Sequence, residues 1–155
     1  MSESLLGLKV PHFTASSTSE KPFSLENYSG SPLVLYFYPK DNTPGCTAET
    51  IQFNELHSDF EKLNCTIIGI SKDSIGSHRK FISKFNLVFD LISDEEGHIC
   101  DMFGVMKMKN MYGRKYLGIE RSTFLIDRDQ KVVKEWRKVK VPGHAAEVLK
   151  SAKSL

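Results

Sequence analysis

Three cysteines stand in a chain of 155 residues, and only Cys46 lies where a sulfur could be reactive. It sits in the stretch Pro39-Lys40-Asp41-Asn42-Thr43-Pro44-Gly45-Cys46-Thr47-Ala48-Glu49. A helix is expected to begin inside it, because Thr43 suits the N-cap and Pro44 the first helical position. Cys46 is then the third helical residue, beside unpaired N–H groups and the positive end of the helix dipole. An N-cap side chain points at the backbone N–H of that third residue, so the Thr43 hydroxyl is expected beside the Cys46 sulfur. A free cysteine titrates near ~8.5, whereas helix N-termini and nearby cations bring such thiols to ~3.5–7.5. The position predicts a nucleophilic thiolate rather than a small buried hydrophobe.

The other candidates for chemistry are plainer. Cys65 comes just before an apolar run and reads as a buried structural thiol. Cys100 falls within Asp94-Glu95-Glu96-Gly97-His98-Ile99-Cys100-Asp101-Met102-Phe103, on the inner side of a short helix that Asp94 is placed to cap. No Cys-x-x-Cys pair is present, which argues against a zinc knuckle and against a dithiol oxidoreductase. His12, His57, His78, His98 and His144 have no regular metal-ligand spacing, and neither a metal nor a cofactor is expected. His144, after Pro142-Gly143, is expected to cap a helix or to stay solvated.

The elements that must position Cys46 read as follows. Leu33-Val34-Leu35-Tyr36-Phe37-Tyr38 is a short, continuous apolar run and predicts a buried strand, stopped by Pro39. Phe53, Leu56, Phe60 and Leu63 give the helix that begins near Cys46 an apolar face. Thr66 to Ile70 follows as a second strand, so strand, helix and strand form a parallel crossover. A helix is expected over 75–85 with Phe81, Ile82 and Phe85 buried, and a short strand from Phe89 to Ile92. Residues 105–118, rich in Lys, Met and Tyr, are read as a solvated loop. A hairpin pairs 122–126 with 132–136 about the turn 127–130, and Ala146, Val148, Leu149 and Ala152 mark a closing helix. Residues 1–32 are read as loop and short edge strands, with one helical turn or a tight loop at 25–30 and with Phe13, Phe23 and Leu25 in the core. This order is that of an α/β thioredoxin-like sandwich with an N-terminal extension, one domain over 1–155. In open α/β sheets, sites lie at the carboxyl ends of strands, and the Cys46 turn follows such an end.

A formal charge of +2 does not by itself imply nucleic acid, and no apolar run reaches membrane-spanning length. The first residues lack the basic and apolar regions of a secretory signal, so a cytoplasmic protein with reduced thiols is expected.

Pro39-x-x-x-Thr43-x-x-Cys46 resembles the active-site signature of the peroxiredoxins, thiol peroxidases of thioredoxin-like fold. The fuller string Tyr38-Pro39-Lys40-Asp41-Asn42-Thr43-Pro44-Gly45-Cys46-Thr47-Ala48-Glu49 is similar to the peroxiredoxin Q, or bacterioferritin comigratory protein, subgroup. So are the stretches 69–73, 109–113, 118–127 and 136–144. The resemblance implies reduction of hydrogen peroxide and organic hydroperoxides. In it, Cys46 matches the peroxidatic cysteine that becomes sulfenic acid. Thr43 matches the residue whose hydroxyl bonds the sulfur and the substrate oxygen, Pro39 the residue that shields the thiolate, and Arg121 the active-site arginine. The Gly45 and Cys46 amides are expected to bind substrate oxygen, and Glu49 to orient the arginine or to face solvent.

The chain departs from that pattern in one respect. Many members carry a resolving cysteine five residues after the first, where this chain has Ile51, and others carry it near the position of Ile82. No resolving cysteine is expected here. Cys100 stands as the candidate, and it would need Cα atoms roughly 4.4–6.8 Å apart from Cys46. The expectation is a one-cysteine peroxidase, acting as a monomer and reduced by thioredoxin or by glutaredoxin with glutathione. The alternative is a non-enzymatic peroxide sensor using the same cysteine.

Overall fold

The computed structural model describes residues 4–155. The chain runs β1 (Thr14–Ser17), β2 (Phe23–Ser24), a 3-10 turn (Leu25–Tyr28), β3 (Leu33–Phe37), α1 (Pro44–Glu55), α2 (His57–Glu61) and β4 (Thr66–Ser71). It continues with α3 (Ile75–Phe85), β5 (Leu91–Ser93), α4 (His98–Met102), β6 (Met106–Met111), β7 (Arg114–Ile119), β8 (Ser122–Ile126), β9 (Val132–Arg137) and α5 (His144–Lys153). Seven strands form one sheet in the order β2-β1-β5-β4-β3-β8-β9, with β3, β4 and β5 parallel and β8 antiparallel to β3. This is the mixed α/β sandwich expected from the order of elements.

Side chains alternate along β3 and divide the core in two. Leu33, Leu35 and Phe37 join a cluster with Phe13, Phe23, Cys100, Phe103 and Phe124 on one face of the sheet. Val34, Tyr36 and Tyr38 join Cys46, Phe53, Phe60, Phe81, Val148 and Leu149 on the other. All five residues of β3 are buried, which is why its sequence is a continuous apolar run rather than an alternating one.

The helix carrying Cys46 is shorter than the apolar stripe suggests. It breaks at Leu56 (φ −93°, ψ 1°), and α2 resumes at His57. Phe53 and Phe60 are both fully buried across the break, with ring centroids 6.2 Å apart, so the stripe still faces the sheet. In α3, Phe81 is buried as expected, while Ile82 and Phe85 are only partly covered. The short strand after it is Leu91–Ser93, two residues later than its apolar run begins. In α5 the buried alanines are Ala145 and Ala152, while Ala146 faces out.

The segment 105–118 is a correction. It forms an antiparallel hairpin, β6 with β7, closed by a two-residue turn at Tyr112 and Gly113 with φ of 53° and 80°. Most of its side chains face solvent, so no apolar alternation marks it in the sequence. Asp94 does cap α4, but from outside the first turn. Its carboxylate accepts from the N–H of Ile99 at 3.2 Å and of Cys100 at 2.8 Å, while left-handed Gly97 occupies the N-cap. At the other end of α4, Arg137 donates to the carbonyls of Phe103 and Gly104.

Candidate active site

Three elements converge on Cys46: the turn after β3, the first turn of α1, and the link between β7 and β8 that carries Arg121. At the strand end the Tyr38 N–H donates to Ile70 O at 3.0 Å, and the chain then leaves the sheet through half-buried Pro39. Helix α1 starts at Pro44 with Thr43 in extended N-cap geometry, as the sequence implies. Cys46 lies in its first turn and is 1% exposed.

Arg121 spans the site. Its Nη1 donates to Glu49 Oε1 at 2.8 Å, and its Nη2 donates to Cys46 Sγ at 3.5 Å. Glu49 is one helical turn after Cys46 and fully buried, so it does not face solvent. It holds the guanidinium from below while the other nitrogen meets the sulfur. Gly45 makes this approach possible: a Cβ there would lie 3.0 Å from Arg121 Nη2. The glycine ahead of the cysteine thus leaves room for the guanidinium, and its backbone conformation makes no demand of its own.

Burial and pairing shift the titration of Glu49 and Arg121. Burial pushes the Glu49 carboxyl up to about 7, against the opposing pull of Arg121. Among the described residues, Glu49 Oε2 is the buried side-chain polar atom left with no hydrogen-bond partner. Arg121 is held above its ordinary value: burial works against its charge, but Glu49 and Cys46 outweigh it. A donor fixed beside a sulfur interacts more strongly with thiolate than with thiol.

Thr43 departs from expectation. Its hydroxyl makes no capping bond to the helix and instead donates to Lys40 O at 2.8 Å. The proton is therefore spent on the loop, and the oxygen is left with only lone pairs to offer. Thr43 can accept a hydrogen bond in this arrangement but cannot also donate one to the sulfur.

The remaining cysteines are remote in chemistry and position. Cys65 is pushed up to about 12 by burial. Cys100 is also driven well upward, by burial and then by the neighbouring Asp94 carboxylate. Cys100 belongs to the core cluster on the opposite face of the sheet from Cys46. Cys65 shares the Cys46 face but precedes β4, at the amino end of the parallel strands, whereas Cys46 follows the carboxyl end of β3. Five paired rungs separate those ends, about 16 Å at strand spacing.

Some residues around the site were not found from sequence. Asp41, in the turn itself, accepts from Tyr38 Oη at 2.6 Å, Ser77 Oγ at 2.8 Å and His78 Nδ1 at 2.8 Å. His78 Nε2 meets Ile92 O at 2.9 Å. Both ring nitrogens therefore face acceptors, and the pair ties the active-site turn to α3. Asp73 Oδ2 approaches the same group, accepting from Asp41 N at 2.9 Å and from Ser71 Oγ at 2.5 Å. Ligand atoms of Asp41, Asp73 and His78 lie within 4.8 Å of one another. Asp41 is bonded to His78, and Asp73 to the Asp41 backbone, so the three form one hydrogen-bonded network. The i to i+1 placing of Ser77 and His78 on a predicted helix start gave no hint of this.

His144 is another correction. It neither caps α5 nor stays solvated; it is 4% exposed, its ring near-perpendicular to those of Phe53 and Trp136, with Nε2 at 2.8 Å from Thr123 Oγ1. Lys109 lies on β6, within the segment whose composition predicts a loop. Its ammonium is held below its ordinary value by burial and by the like charge of Arg121, and is pulled back by Cys46 and Glu120.

Comparison with known proteins agrees with this geometry. Residues 6–135 match the model of the AhpC/TSA family. The chain is 46% identical over 150 residues to peroxiredoxin Bcp of Bacillus subtilis, covering 97% of this chain and 96% of that one. Among solved structures it is similar to a cysteine-to-serine mutant of peroxiredoxin Q from Xylella fastidiosa, with a TM-score of 0.94, 43% identity and coverage of 99% and 98%. It is similar also to the bacterioferritin comigratory protein of Xanthomonas campestris, described for alkyl peroxide reduction, with a TM-score of 0.87, 46% identity and coverage of 92% and 90%. These relatives do not favour a non-enzymatic sensor. Among the described residues no helix is long and apolar enough to cross a membrane. A guanidinium pinned over a helix-borne sulfur, on this sheet and with these relatives, leads to one conclusion: the chain belongs to the AhpC/TSA family, as a thiol-dependent peroxidase of the peroxiredoxin Q, or bacterioferritin comigratory protein, branch.

Proposed function

We propose that Cys46 is the peroxidatic cysteine and that it reduces hydrogen peroxide and organic hydroperoxides by a one-cysteine mechanism. The thiolate attacks the terminal peroxide oxygen; the S–O bond forms as the O–O bond breaks. Sulfur is oxidised to sulfenic acid, and the departing alkoxide or hydroxide takes a proton from solvent. Charge thus leaves sulfur and builds on oxygen. Arg121, fixed before reaction by Glu49, is placed to follow that charge without reorganising, and the Gly45 and Cys46 amides at the helix start add to it. Thr43, its proton already given to Lys40 O, accepts the hydrogen of the attacked peroxide oxygen and so aligns the O–O bond. Pro39, half-buried beside the turn, limits water at the sulfur.

The observation that carries this reading is the double engagement of Arg121, with Glu49 at 2.8 Å and the Cys46 sulfur at 3.5 Å. The sulfenic acid is then reduced by an external thiol, through thioredoxin or through glutaredoxin with glutathione. Two thiols supply the two electrons, and a disulfide and water leave. Support comes from the burial and separation of Cys65 and Cys100. Three free cysteines suit a reducing cytoplasm, and the chain is read as acting as a monomer. The test is peroxide consumption by wild type and Cys46→Ser with each reductant system supplied in parallel. Wild type turns over with at least one system and Cys46→Ser with neither; equal turnover by the serine variant would refute the assignment.

A further inference from the structure

Thr43 serves the reaction through an oxygen whose proton is already given away, so whatever fixes that proton also fixes the direction of the lone pairs. Its acceptor is the Lys40 carbonyl, at 2.8 Å. That carbonyl is one end of the peptide group joining Lys40 to Asp41, and the Asp41 N–H is the other. A peptide group is planar and, as here, trans, so its C=O and N–H point in opposite directions and turn together. The Asp41 N–H donates to Asp73 Oδ2 at 2.9 Å. One rigid plane thus stands between the Asp73 carboxylate and the Thr43 hydroxyl.

Asp73 is itself anchored to the sheet. Its Oδ2 also accepts from Ser71 Oγ at 2.5 Å, and its own N–H donates back to that hydroxyl at 3.1 Å. Its carbonyl accepts from Ser93 Oγ at 2.5 Å. Ser71 ends β4 and Ser93 ends β5, and the two are paired in register. The carboxylate is therefore carried by the carboxyl ends of two parallel strands. The bonds from Tyr38, Ser77 and His78 to the Asp41 side chain hold that residue in place. They act on its carboxylate, whereas the bond to Asp73 acts on the peptide plane that receives the Thr43 proton.

We propose that Asp73 is a positioning residue for peroxide reduction: by holding the Lys40–Asp41 peptide group it keeps the Thr43 proton on the Lys40 carbonyl and the Thr43 lone pairs free for the peroxide. The assignment rests on the peroxidase reading above and on Thr43 as an acceptor. Two separate arms then serve Cys46. Glu49 on α1 holds Arg121, and Asp73 after β4 holds Thr43 through one peptide plane. Released from Asp73, the plane rotates, the carbonyl leaves the hydroxyl, and the Thr43 proton turns into the site, where it competes with the hydrogen of the attacked peroxide oxygen.

Single-turnover oxidation of reduced enzyme by hydrogen peroxide at pH 8 isolates the step from the reductant. Thr43→Val and Asp73→Ala are each expected to slow it about tenfold, the worth of one hydrogen bond. The double variant is expected to be no slower than Thr43→Val alone, because Asp73 has nothing to act on once the hydroxyl is gone. Asp73→Ala combined with Glu49→Gln is expected to be about a hundredfold slower than wild type, since those arms are separate. Asp73→Asn keeps an oxygen for the Asp41 N–H and is expected to stay within about threefold of wild type. A general loosening of the site would multiply with Thr43→Val as it does with Glu49→Gln. That result overturns the proposal, as does Asp73→Ala at the wild-type rate or Asp73→Asn as slow as Asp73→Ala. Should Asp73→Ala not fold, amide exchange in reduced wild type decides: the Asp41 N–H is expected to be strongly protected, and exchange at the rate of an open loop overturns the proposal. Thr43→Val at the wild-type rate removes the acceptor role and this assignment while Cys46 stands. Failure of wild type to be oxidised at all overturns the peroxidase reading and this one with it.

Discussion

Cys46 and Cys100 lie on opposite faces of the seven-stranded sheet, each inside a different core cluster. A disulfide between them would need one sulfur to pass through a layer built on fully buried β3, against a Cα separation limit of roughly 7 Å. Cys65 is separated along the strands instead of across them. Each is also held protonated by burial, so neither is ready to attack a sulfenic acid. One equivalent of peroxide should therefore leave a sulfenic acid on Cys46 that dimedone traps, with no internal disulfide by mass spectrometry. Cys65→Ser and Cys100→Ser should keep turnover within about twofold. A Cys46–Cys100 or Cys46–Cys65 peptide pair would end the one-cysteine proposal while leaving the peroxidase intact.

Gly45 offers a narrower test of the arginine. Its missing side chain leaves the space that Arg121 Nη2 uses, and the 3.0 Å clearance of a Cβ is too tight to stand. The guanidinium is held by buried Glu49 and has little freedom to retreat. Gly45→Ala should displace it by a few tenths of an ångström and slow Cys46 oxidation by about tenfold or more. Thermal stability should change little, because Gly45 has no left-handed backbone requirement. An unslowed Gly45→Ala enzyme would mean that arginine placement is not tightly coupled to the rate.

What the sequence makes legible follows what is locally encoded. The strand at 33–37 is a single apolar run because both its faces are buried, and Pro44 after Thr43 marks the start of α1 without help from the rest of the chain. The Arg121–Glu49 contact joins residues 72 apart, and the spacing of residue types alone does not reveal such a pair. Its legibility came from the resemblance. The hairpin at 106–119 is not legible in the sequence because it buries little, so composition there speaks louder than alternation. The burial of His144 is not legible either, because a Pro-Gly step marks a helix start but not how deep that start is buried. Asp41 and His78 form their contact only once β3, α3 and β5 are stacked.

Glu49 should make the reaction pH-dependent in a way separable from the sulfur. Burial, opposed by Arg121, raises its carboxyl to about 7, so it loses its charge as pH falls through that value. The charge-assisted bond to Arg121 then weakens to an ordinary one, and the guanidinium is less firmly aimed. Such a bond is worth about 1.5 kcal/mol or more, roughly tenfold in rate. Oxidation of Cys46 is expected to slow as pH drops from 8 to 6 in wild type. Glu49→Gln should be about tenfold slower at pH 8 and should lack that part of the fall. If both enzymes trace the same pH curve, the carboxylate has no part in it.

His144 governs the stability of the same region with the opposite sign. Buried between Phe53 and Trp136, it is driven down to about 4, by burial first and by Arg121 as well, with Glu147 opposing. In the unfolded chain it takes a proton near 6.5. Between those values the unfolded state binds more protons than the folded one, so acid favours unfolding. The contribution is whole above about 6.5 and is lost as pH falls toward 4, at most about 1.4 kcal/mol per pH unit for one proton. Glu49 acts in reverse: it binds its proton more readily folded than unfolded, so it favours the native state as pH falls from 7 to 4.5. The two terms offset each other between 4.5 and 6.5, and wild type should show a nearly flat denaturation midpoint there. His144→Gln, which keeps a partner for Thr123 without the titration, should become relatively more stable as pH falls across that window. Glu49→Gln should become relatively less stable over the same window. Urea midpoints at a series of pH values measure both slopes, and parallel curves for wild type and the two variants would show that neither group titrates differently on folding.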